Sequence, residues 1–499
     1  MDLAEHSTRI DDDSAYRAIV AHDARFDGRL FIGVTSTGVY CRPVCRVRTP
    51  MRRNCRFFAN APSAEAAGFR PCLRCRPELA PGLALVDSPQ VLALHAARML
   101  DAAAREGHDV ALPEVAARLG VTDRHLRRIF AAAHGVTPID YLTTQRLLLA
   151  KQLLTDTELS MADVALASGF GSQRRFNAAF VERYRLAPTA LRKARVEPPS
   201  RSQAARAGHA LGPTLRLAYR PPYDVAGVVG FFAARCVAGV EAVDVDVPGL
   251  RRTLAWQHQG KRIAGWLAGR FVPGRHEVEL TVAPSLVPAL GAVVQRLRQG
   301  LDLDADPAAI DAALASLPGA PGLRVPNGMD GWEIAARVIL GQQVTVAAAR
   351  TLTARLVDRF GEPIATPFAD LTRLFPSAAK IARASAEDIG TLGIVRQRVG
   401  ALQALAREVA AGRIELHRGA PLEATQDALR ALPGIGEWTV QLIAMRALAW
   451  PDAFPATDIG VMNALGTRDA KEVSARAEAW RPWRSYAVMR LWQSLETGT

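Results

Sequence analysis

The sequence predicts a multidomain, mainly α protein, and three observations support this prediction. At 499 residues the chain is too long for one hydrophobic core, and about 150 residues per domain suggests three or four domains. Helical periodicity dominates from about residue 302 to the C-terminus. Strand-like alternation is confined to short stretches such as LRLAYRPPYD and HEVELTV, which predict a small antiparallel sheet.

Composition and charge indicate the kind of partner. The net charge is +13 and the sequence pI is about 10.0, values that favour an anionic polymer such as double-stranded DNA. No apolar run approaches the length of about 20 residues that a membrane span needs, and no secretory leader opens the chain. We therefore expect a cytoplasmic, nucleoid-associated protein with no membrane partner.

Four of the six cysteines form two close pairs in the first predicted domain, residues 1–85. The spacings are Cys41-x3-Cys45 and Cys72-x2-Cys75, which predict one zinc ion held by four thiolates. Cys55 and Cys236 have no such neighbours, and we expect them to be buried thiols.

The sequence segments that contain these cysteines, GVTSTGVYCRPVC and FFANAPSAEAAGFRPCLRCRP, resemble the N-terminal zinc domain of the Ada alkylation-response family. The resemblance implies a small α+β domain in which Cys41 accepts a methyl group from a DNA methylphosphotriester. It also implies phosphate contacts by Thr37, Arg48, Arg70 and Arg74. The alternative is an inert structural zinc site, which is the usual role of four thiolates.

Residues 86–196 contain two helix-turn-helix patterns, LPEVAARLGVTDRHLRRIFAAA and MADVALASGFGSQRRFNAAFVERY. A long helix, about residues 138–154, joins them, and Thr122 is expected to cap the first recognition helix. The pair resembles the all-α AraC-type DNA-binding domain, which implies promoter DNA and RNA polymerase as partners. The side chains that open the two recognition helices are Arg124, His125, Arg127, Arg128, Gln173, Arg174 and Arg175. A single such pattern is often only a packed helical corner, and the duplication favours regulation.

A segment rich in Pro, Ser, Ala and Gly, residues 197–212, predicts a flexible linker. The following stretch, YRPPYDVAGVVGFFAARCVAGVE, resembles the start of the AlkA alkylpurine glycosylases. That resemblance implies an α+β half, with an antiparallel sheet subdomain over residues 213–301 and a helical core over residues 302–499.

A glycine-rich turn opens the helix in LPGIGEWTVQLIAMRALAWPDAFPATD, residues 432–458. Gly434 and Gly436 allow a sharp turn whose backbone N–H groups can approach an anion. A DNA phosphate is the anion that we expect to bind there. This pattern resembles the helix-hairpin-helix DNA glycosylases. Relatives that also cleave the strand carry a lysine where this chain has Trp438, so the resemblance implies a monofunctional enzyme in which Asp458 stabilises the cationic sugar. The alternative is that Asp458 or Thr457 only caps the next helix.

The same resemblance implies further substrate-binding residues. Trp438 and Trp492 are expected to line the pocket for a cationic base, and Leu442 stands where AlkA has an aromatic residue. Gln342 and Gln343 lie in the segment that fills the gap left by a flipped nucleotide, although the second position is apolar in AlkA. Their alternative role is a solvated helix edge.

Together these resemblances imply a DNA methylphosphotriester-sensing transcriptional regulator fused to a DNA-3-methyladenine glycosylase without lyase activity. The resemblance implies a monovalent cation at the hairpin turn, and the lack of cysteines beyond Cys236 excludes a four-cysteine iron–sulfur loop there. The alternative is a regulator only, whose inactive glycosylase-like half anchors it to DNA.

Overall fold

The computed structural model describes residues 12–22, 30–58, 64, 67–72, 75, 89–106, 111–193, 211–258 and 260–497. These residues form two compact units, and the boundary between the units runs through a long helix between Arg146 and Leu147. The predicted multidomain, mainly α fold is confirmed. The predicted linker lies outside the described residues except for its last two positions.

In the N-terminal domain the described residues include helix α1 (Asp12–Val20) and a four-stranded sheet in the order β3-β1-β2-β4. Its strands are β1 (Phe31–Val34), β2 (Val39–Cys41), β3 (Cys55–Phe58) and β4 (Arg70–Pro71). Strands β2 and β4 are parallel, with Tyr40 opposite Pro71. This register brings Cys41, the last residue of β2, level with Cys72, the residue after β4.

The described residues between 89 and 193 form seven helices. They are α2 (Pro89–Glu106), α3 (Leu112–Arg118), α4 (Asp123–His134), α5 (Pro138–Asp156), α6 (Met161–Ala167), α7 (Gln173–Tyr184) and α8 (Pro188–Lys193). Thr122 accepts a hydrogen bond from the N–H of His125 and caps α4, as predicted. Ser172 caps α7 in the same way. The two helix-turn-helix units, α3–α4 and α6–α7, therefore begin their second helices with the same capping interaction.

The sheet of the C-terminal half has five antiparallel strands in the order β5-β9-β8-β7-β6. They are β5 (Thr214–Ala218), β6 (Glu241–Asp244), β7 (Gly249–His258), β8 (Lys261–Val272) and β9 (Glu277–Val282). Two helices belong with it, α9 (Val225–Arg235) and α10 (Leu290–Gly300), and a 3-10 turn, Pro284–Ala289, precedes α10. The two alternating stretches read from the sequence are β5 and β9, which are neighbours in this sheet.

The described residues from 302 to 497 form eleven α-helices. They are α11 (Pro307–Ala313), α12 (Gly331–Leu340), α13 (Val346–Phe360), α14 (Ala378–Arg383), α15 (Ala386–Gly390), α16 (Arg396–Ala410), α17 (Leu422–Arg430), α18 (Glu437–Arg446), α19 (Ile459–Leu465), α20 (Ala470–Ala477) and α21 (Arg484–Thr497). Helix α12 packs against α16 and α18 and lies at the centre of this core. In the described part of the chain, none of the helices combines the length and apolar character that crossing a bilayer requires.

A buried ionic network joins the sheet to the helical core. Arg252 of β7 contacts Glu241 of β6 at 3.0 Å and also contacts Glu333 of α12. Arg337, one turn further along α12, contacts both glutamates at 3.0 Å. Because two cations face two anions away from solvent, each charge depends on the others for its compensation.

Replacing Arg252 with methionine tests this network. We expect Arg252→Met to lower the free energy of unfolding by about 3–5 kcal/mol, because it leaves two buried carboxylates with one guanidinium. Arg251→Met is the matched control, since Arg251 is on the same strand but pairs with Asp370 at the surface and should cost under about 1 kcal/mol. Denaturant unfolding followed by circular dichroism measures both, and equal losses would contradict the prediction.

Candidate functional sites

The four predicted zinc ligands form one cluster. The sulfur atoms of Cys41, Cys45, Cys72 and Cys75 all lie within 4.8 Å of one another, and all four residues are buried. Tetrahedral zinc with Zn–S bonds of about 2.3 Å needs sulfur atoms about 3.8 Å apart, so one Zn²⁺ fits this cluster after a small contraction. Cys55 is buried and apart from the cluster, as expected, whereas Cys236 is only half-buried.

The thiols interact strongly with one another. Hydrogen bonds from Cys41 and Cys75 lower the pKa of Cys45 to about 3, whereas the hydrogen bond to Cys45 raises the pKa of Cys41. One negative charge is thus stabilised by the neighbouring thiols, and four thiolates together require a cation.

Arg42 is a neighbour of this cluster that the sequence reasoning missed. It is 1% exposed, its backbone N–H donates to Cys75 Sγ at 3.5 Å, and its guanidinium donates to the Cys75 carbonyl at 3.4 Å. A buried guanidinium here offsets part of the negative charge that four thiolates around one zinc ion carry. The sequence feature that could have identified Arg42 was its position directly after Cys41.

The predicted phosphate contacts of this domain are at the surface. Thr37, Arg48 and Arg70 are exposed, and the Thr37 hydroxyl donates to the Val34 carbonyl at 3.4 Å. Arg74 lies outside the described residues.

The predicted recognition residues are also mostly solvent-accessible. The exposed ones are Arg124, Arg127, Arg128, Gln173, Arg174 and Arg175. His125 is half-buried, and burial together with neighbouring Arg128 lowers its pKa. Arg127 forms an ion pair with Asp123 at 2.9 Å, one turn earlier on α4. Both recognition helices therefore present polar side chains at their N-terminal ends, where helix-turn-helix proteins contact base edges.

The two glycines of the hairpin turn differ in their backbone conformation. Gly434 has φ +77°, and a Cβ there would lie 3.0 Å from Ala401 Cβ, so the turn requires glycine at this position. Gly436 caps α18 with φ −93° and has open space around it. Its missing side chain is therefore not needed for the turn itself, but it leaves the first N–H groups of α18 accessible.

Asp458 is the point at which three elements of the helical core meet. Its Oδ1 accepts hydrogen bonds from the Val461 N–H at 3.0 Å and the Trp492 indole Nε1 at 2.9 Å. Its Oδ2 accepts from the Trp438 indole Nε1 at 2.8 Å. Asp458 is 7% exposed, while Ile459 beside it is 61% exposed, so the carboxylate lies just beneath the surface. The capping alternative describes a real contact, since Asp458 caps α19, but it leaves both tryptophans unexplained.

Gly460 allows the approach of Trp492. A Cβ at this position would lie 2.9 Å from Trp492 Cδ1 and 3.1 Å from Asp458 Oδ1, closer than side chains normally pack. No sequence pattern indicated this role for Gly460, because the tryptophan comes from a distant helix.

Gln342 and Gln343 have different surroundings. The Gln342 amide donates to the Gly434 carbonyl and to the Thr439 hydroxyl, both at 2.9 Å, so it ties the loop after α12 to the hairpin. Gln343 is exposed and has φ +54°, a left-handed conformation that costs a residue other than glycine about 1 kcal/mol or more. Of these two residues, only Gln343 therefore resembles a solvated edge.

Leu442 is buried in the helical core, one turn after Trp438 on α18. Trp438 and Trp492 are only half-buried and pack against the same core. The described residues therefore bring Asp458, both tryptophans and Leu442 into one region of the helical core.

Four family models match successive parts of the chain. They are the metal binding domain of Ada over residues 14–78, a helix-turn-helix domain over 115–194, the AlkA N-terminal domain over 214–330, and the HhH-GPD superfamily base excision DNA repair protein over 336–484. These matches bear out the families that the sequence resembles.

Curated relatives match either nearly the whole chain or a part of it. A Mycobacterium tuberculosis protein named "Probable bifunctional transcriptional activator/DNA repair enzyme AlkA" is 38% identical over 97% of both chains. DNA-3-methyladenine glycosylase 2 of Escherichia coli is 32% identical over 55% of this chain and 95% of its own. The bifunctional transcriptional activator/DNA repair enzyme Ada of Escherichia coli is 38% identical over 26% of this chain and 35% of its own.

Metal analysis tests the thiolate cluster. We expect one zinc ion per chain and its loss in Cys72→Ser, because three thiolates no longer complete the tetrahedral shell. Cys55→Ser is the matched control, since it removes a buried cysteine of the same domain that lies outside the cluster. Elemental analysis after dialysis measures the zinc, and equal zinc contents in the two variants would contradict the assignment.

Proposed function

The chain belongs to the family of bifunctional transcriptional activators and DNA repair enzymes of the AlkA type, and on this premise we propose that it couples a methylphosphotriester sensor to a monofunctional glycosylase for alkylated purines. It is a regulator fused to a relative of DNA-3-methyladenine glycosylase 2. The observation that carries the proposal is the pair of indole N–H groups that hold the Asp458 carboxylate.

In the proposed reaction the N-glycosidic bond breaks before water attacks. The bonding electrons leave with the base, and positive charge develops on the deoxyribose. A carboxylate already held by three donors stabilises this charge without reorganising. Water then adds its hydroxyl to C1′, its proton goes to solvent or to the base, and an abasic site remains.

The chemistry at Trp438 supports hydrolysis without strand cleavage. A lyase needs an amine that forms a Schiff base with the opened sugar, and an indole nitrogen is not such a nucleophile. Here the Trp438 N–H is instead engaged by Asp458. We propose that Trp438 positions the carboxylate and contributes an aromatic surface to the base pocket.

Substrate preference follows from charge. A purine alkylated at N3 or N7 is cationic, so it leaves readily and is attracted to aromatic rings. Trp438 and Trp492 are next to Asp458, so a base leaving the sugar there would meet both indoles. Leu442 is proposed to shape the same pocket.

The neighbouring loop and turn are proposed to hold distorted DNA. Gln343 would enter the gap left by the flipped nucleotide, which offsets part of the few kcal/mol that flipping costs. The N–H groups that follow Gly436 would bind a phosphate. The predicted monovalent cation would share this turn, where the Gly434 carbonyl already accepts a bond from Gln342.

For the sensor, we propose that Cys41 attacks the methyl carbon of a methylphosphotriester. A C–S bond forms, the C–O bond breaks, and its electrons leave the phosphate as an ordinary anionic diester. Zinc, when bound, keeps the four sulfurs as thiolates. Methylation removes one negative charge, which lowers repulsion from DNA. Thr37, Arg48, Arg70 and Arg74 would hold the phosphate, and the exposed side chains of α4 and α7 would read the promoter. An RNA polymerase contact is part of this proposal.

The main test is replacement of Asp458 with asparagine. We expect Asp458→Asn to lower release of 3-methyladenine from methylated DNA by at least about 100-fold, because the fixed negative charge is lost. Asparagine is also a good N-cap, so α19 should remain folded. Chromatography of the liberated bases measures activity, and abasic-site DNA measures binding, which should be retained.

Asp469→Asn is the matched control, since Asp469 caps the next helix, α20, and accepts a bond from the Lys471 N–H. Its activity should be unchanged. If the native protein released no base at all while it bound alkylated promoters, the regulator-only alternative would replace this proposal.

The sensor is tested with DNA that carries a radiolabelled methylphosphotriester. We expect Cys41→Ser to abolish label transfer, because a serine hydroxyl is a far weaker nucleophile toward the methyl carbon than a thiolate at neutral pH. Cys55→Ser should transfer label like the native protein. Mapping the label by peptide mass spectrometry to any residue other than Cys41 would exclude the assignment.

A further inference from the structure

The second helix-turn-helix unit and the sheet of the catalytic half share one apolar core. Leu153, Phe176 and Phe180 from the helices are fully buried in the same cluster as Leu215 and Leu217 of β5. Helix α6 also packs against the 3-10 turn Pro284–Ala289, which precedes α10. Two domains joined only by a linker would each enclose a separate core.

Polar contacts fix the position of α5 on this sheet. Strand β5 is at the edge, bonded on one side to β9, so its outer N–H and C=O groups need partners. The Arg216 carbonyl accepts a bond from the Gln152 amide at 2.7 Å, and the Arg216 N–H donates to Asp156 Oδ2 at 3.2 Å. Two side chains one turn apart on α5 therefore satisfy both outward groups of one residue of the edge strand.

This packing leaves the DNA-reading end of α7 accessible. Phe176 and Phe180 face the shared core, while Gln173, Arg174 and Arg175 are exposed. The interface and the recognition side chains thus occupy different faces of one helix, and docking on the sheet does not block the polar end.

We propose that the outer edge of β5 and the turn after β9 form a docking surface for α5–α7 of the same chain. This surface binds strongly enough to hold the second helix-turn-helix unit on the catalytic half without a covalent connection. Recognition helix α7 and Asp458 then belong to one body. DNA held by α7 would keep the catalytic half at a fixed place beside it, whereas a free linker would let that half sample a large volume. The proposal concerns packing and does not depend on base release.

Cleavage of the connection between the two halves tests the docking surface. A site-specific protease sequence is inserted between residues 203 and 204 of the full chain, and the folded protein is cut to completion. We expect the two fragments to elute together from size-exclusion chromatography at micromolar concentration. Separate elution of the native fragments would overturn the proposal.

A double variant tests the edge contacts. Gln152→Ala with Asp156→Ala should raise the dissociation constant of the cleaved fragments by about tenfold or more, because both outward groups of Arg216 lose their partners. Leu148→Ala with Lys151→Ala is the control, since both residues are exposed on the same helix, and it should leave the constant unchanged. Equal constants for the two double variants would overturn the role of the edge contacts.

Hydrogen exchange on the uncut chain gives a second measurement. The Arg216 amide should exchange at least about tenfold faster in the Gln152→Ala, Asp156→Ala variant than in the control, while the amides of β5 bonded to β9 stay protected. Unchanged exchange at Arg216 would count against the proposal even if the cut fragments stayed together.

Discussion

The carboxylate of Asp458 imposes the tightest constraint on the C-terminal half. Its three donors come from α18, α19 and α21, so these helices must keep their relative positions to within a few tenths of an ångström. Packing provides that precision: α19 contacts α21 closely, and Val461 of α19 and Ala487 of α21 are fully buried. Gly460 removes the one side chain that would hold Trp492 away. The helical core therefore fixes two indoles around one acid.

Local patterns predicted much of this arrangement. The cap at Thr122, the cap at Asp458 and the cysteine pairs all depend on residues within four positions of one another, and spacing alone reveals them. The two indole donors to Asp458 could be placed only by family resemblance, because Trp438 and Trp492 are 20 and 34 residues away. That resemblance suggested two pocket walls. It gave no sign that both indoles direct their N–H groups at the acid, which changes their proposed role from stacking alone to positioning.

Contacts between residues that are far apart in the sequence could not be predicted from local patterns. Strand β7 pairs with β8 along its full length, yet alanine, glycine and arginine interrupt the apolar alternation of both strands, so no strand pattern stood out. Gly265 of β8 is required because a Cβ would lie 2.7 Å from both Leu286 and Ser285, contacts that exist only after folding. The network of Arg252 with Glu333 links positions 81 residues apart. Likewise, the sequence analysis placed α6 and α7 in one predicted domain with the first helix-turn-helix unit. In the structure, the apolar faces of these two helices pack with β5.

The two proposed reactive groups differ in how their negative charge is balanced. The thiolate cluster has a guanidinium beside it, because Arg42 is buried against Cys75 and offsets part of the charge that zinc leaves uncompensated. The described groups that donate to the Asp458 carboxylate are two indoles and a backbone N–H, which orient the carboxylate and leave its charge in place. A guanidinium in place of either indole would satisfy the same oxygen atoms but would cancel the field that a cationic sugar requires. A DNA-binding protein with net charge +13 has arginines available for such a position. The choice of tryptophan therefore agrees with a carboxylate whose negative charge must be retained for the reaction.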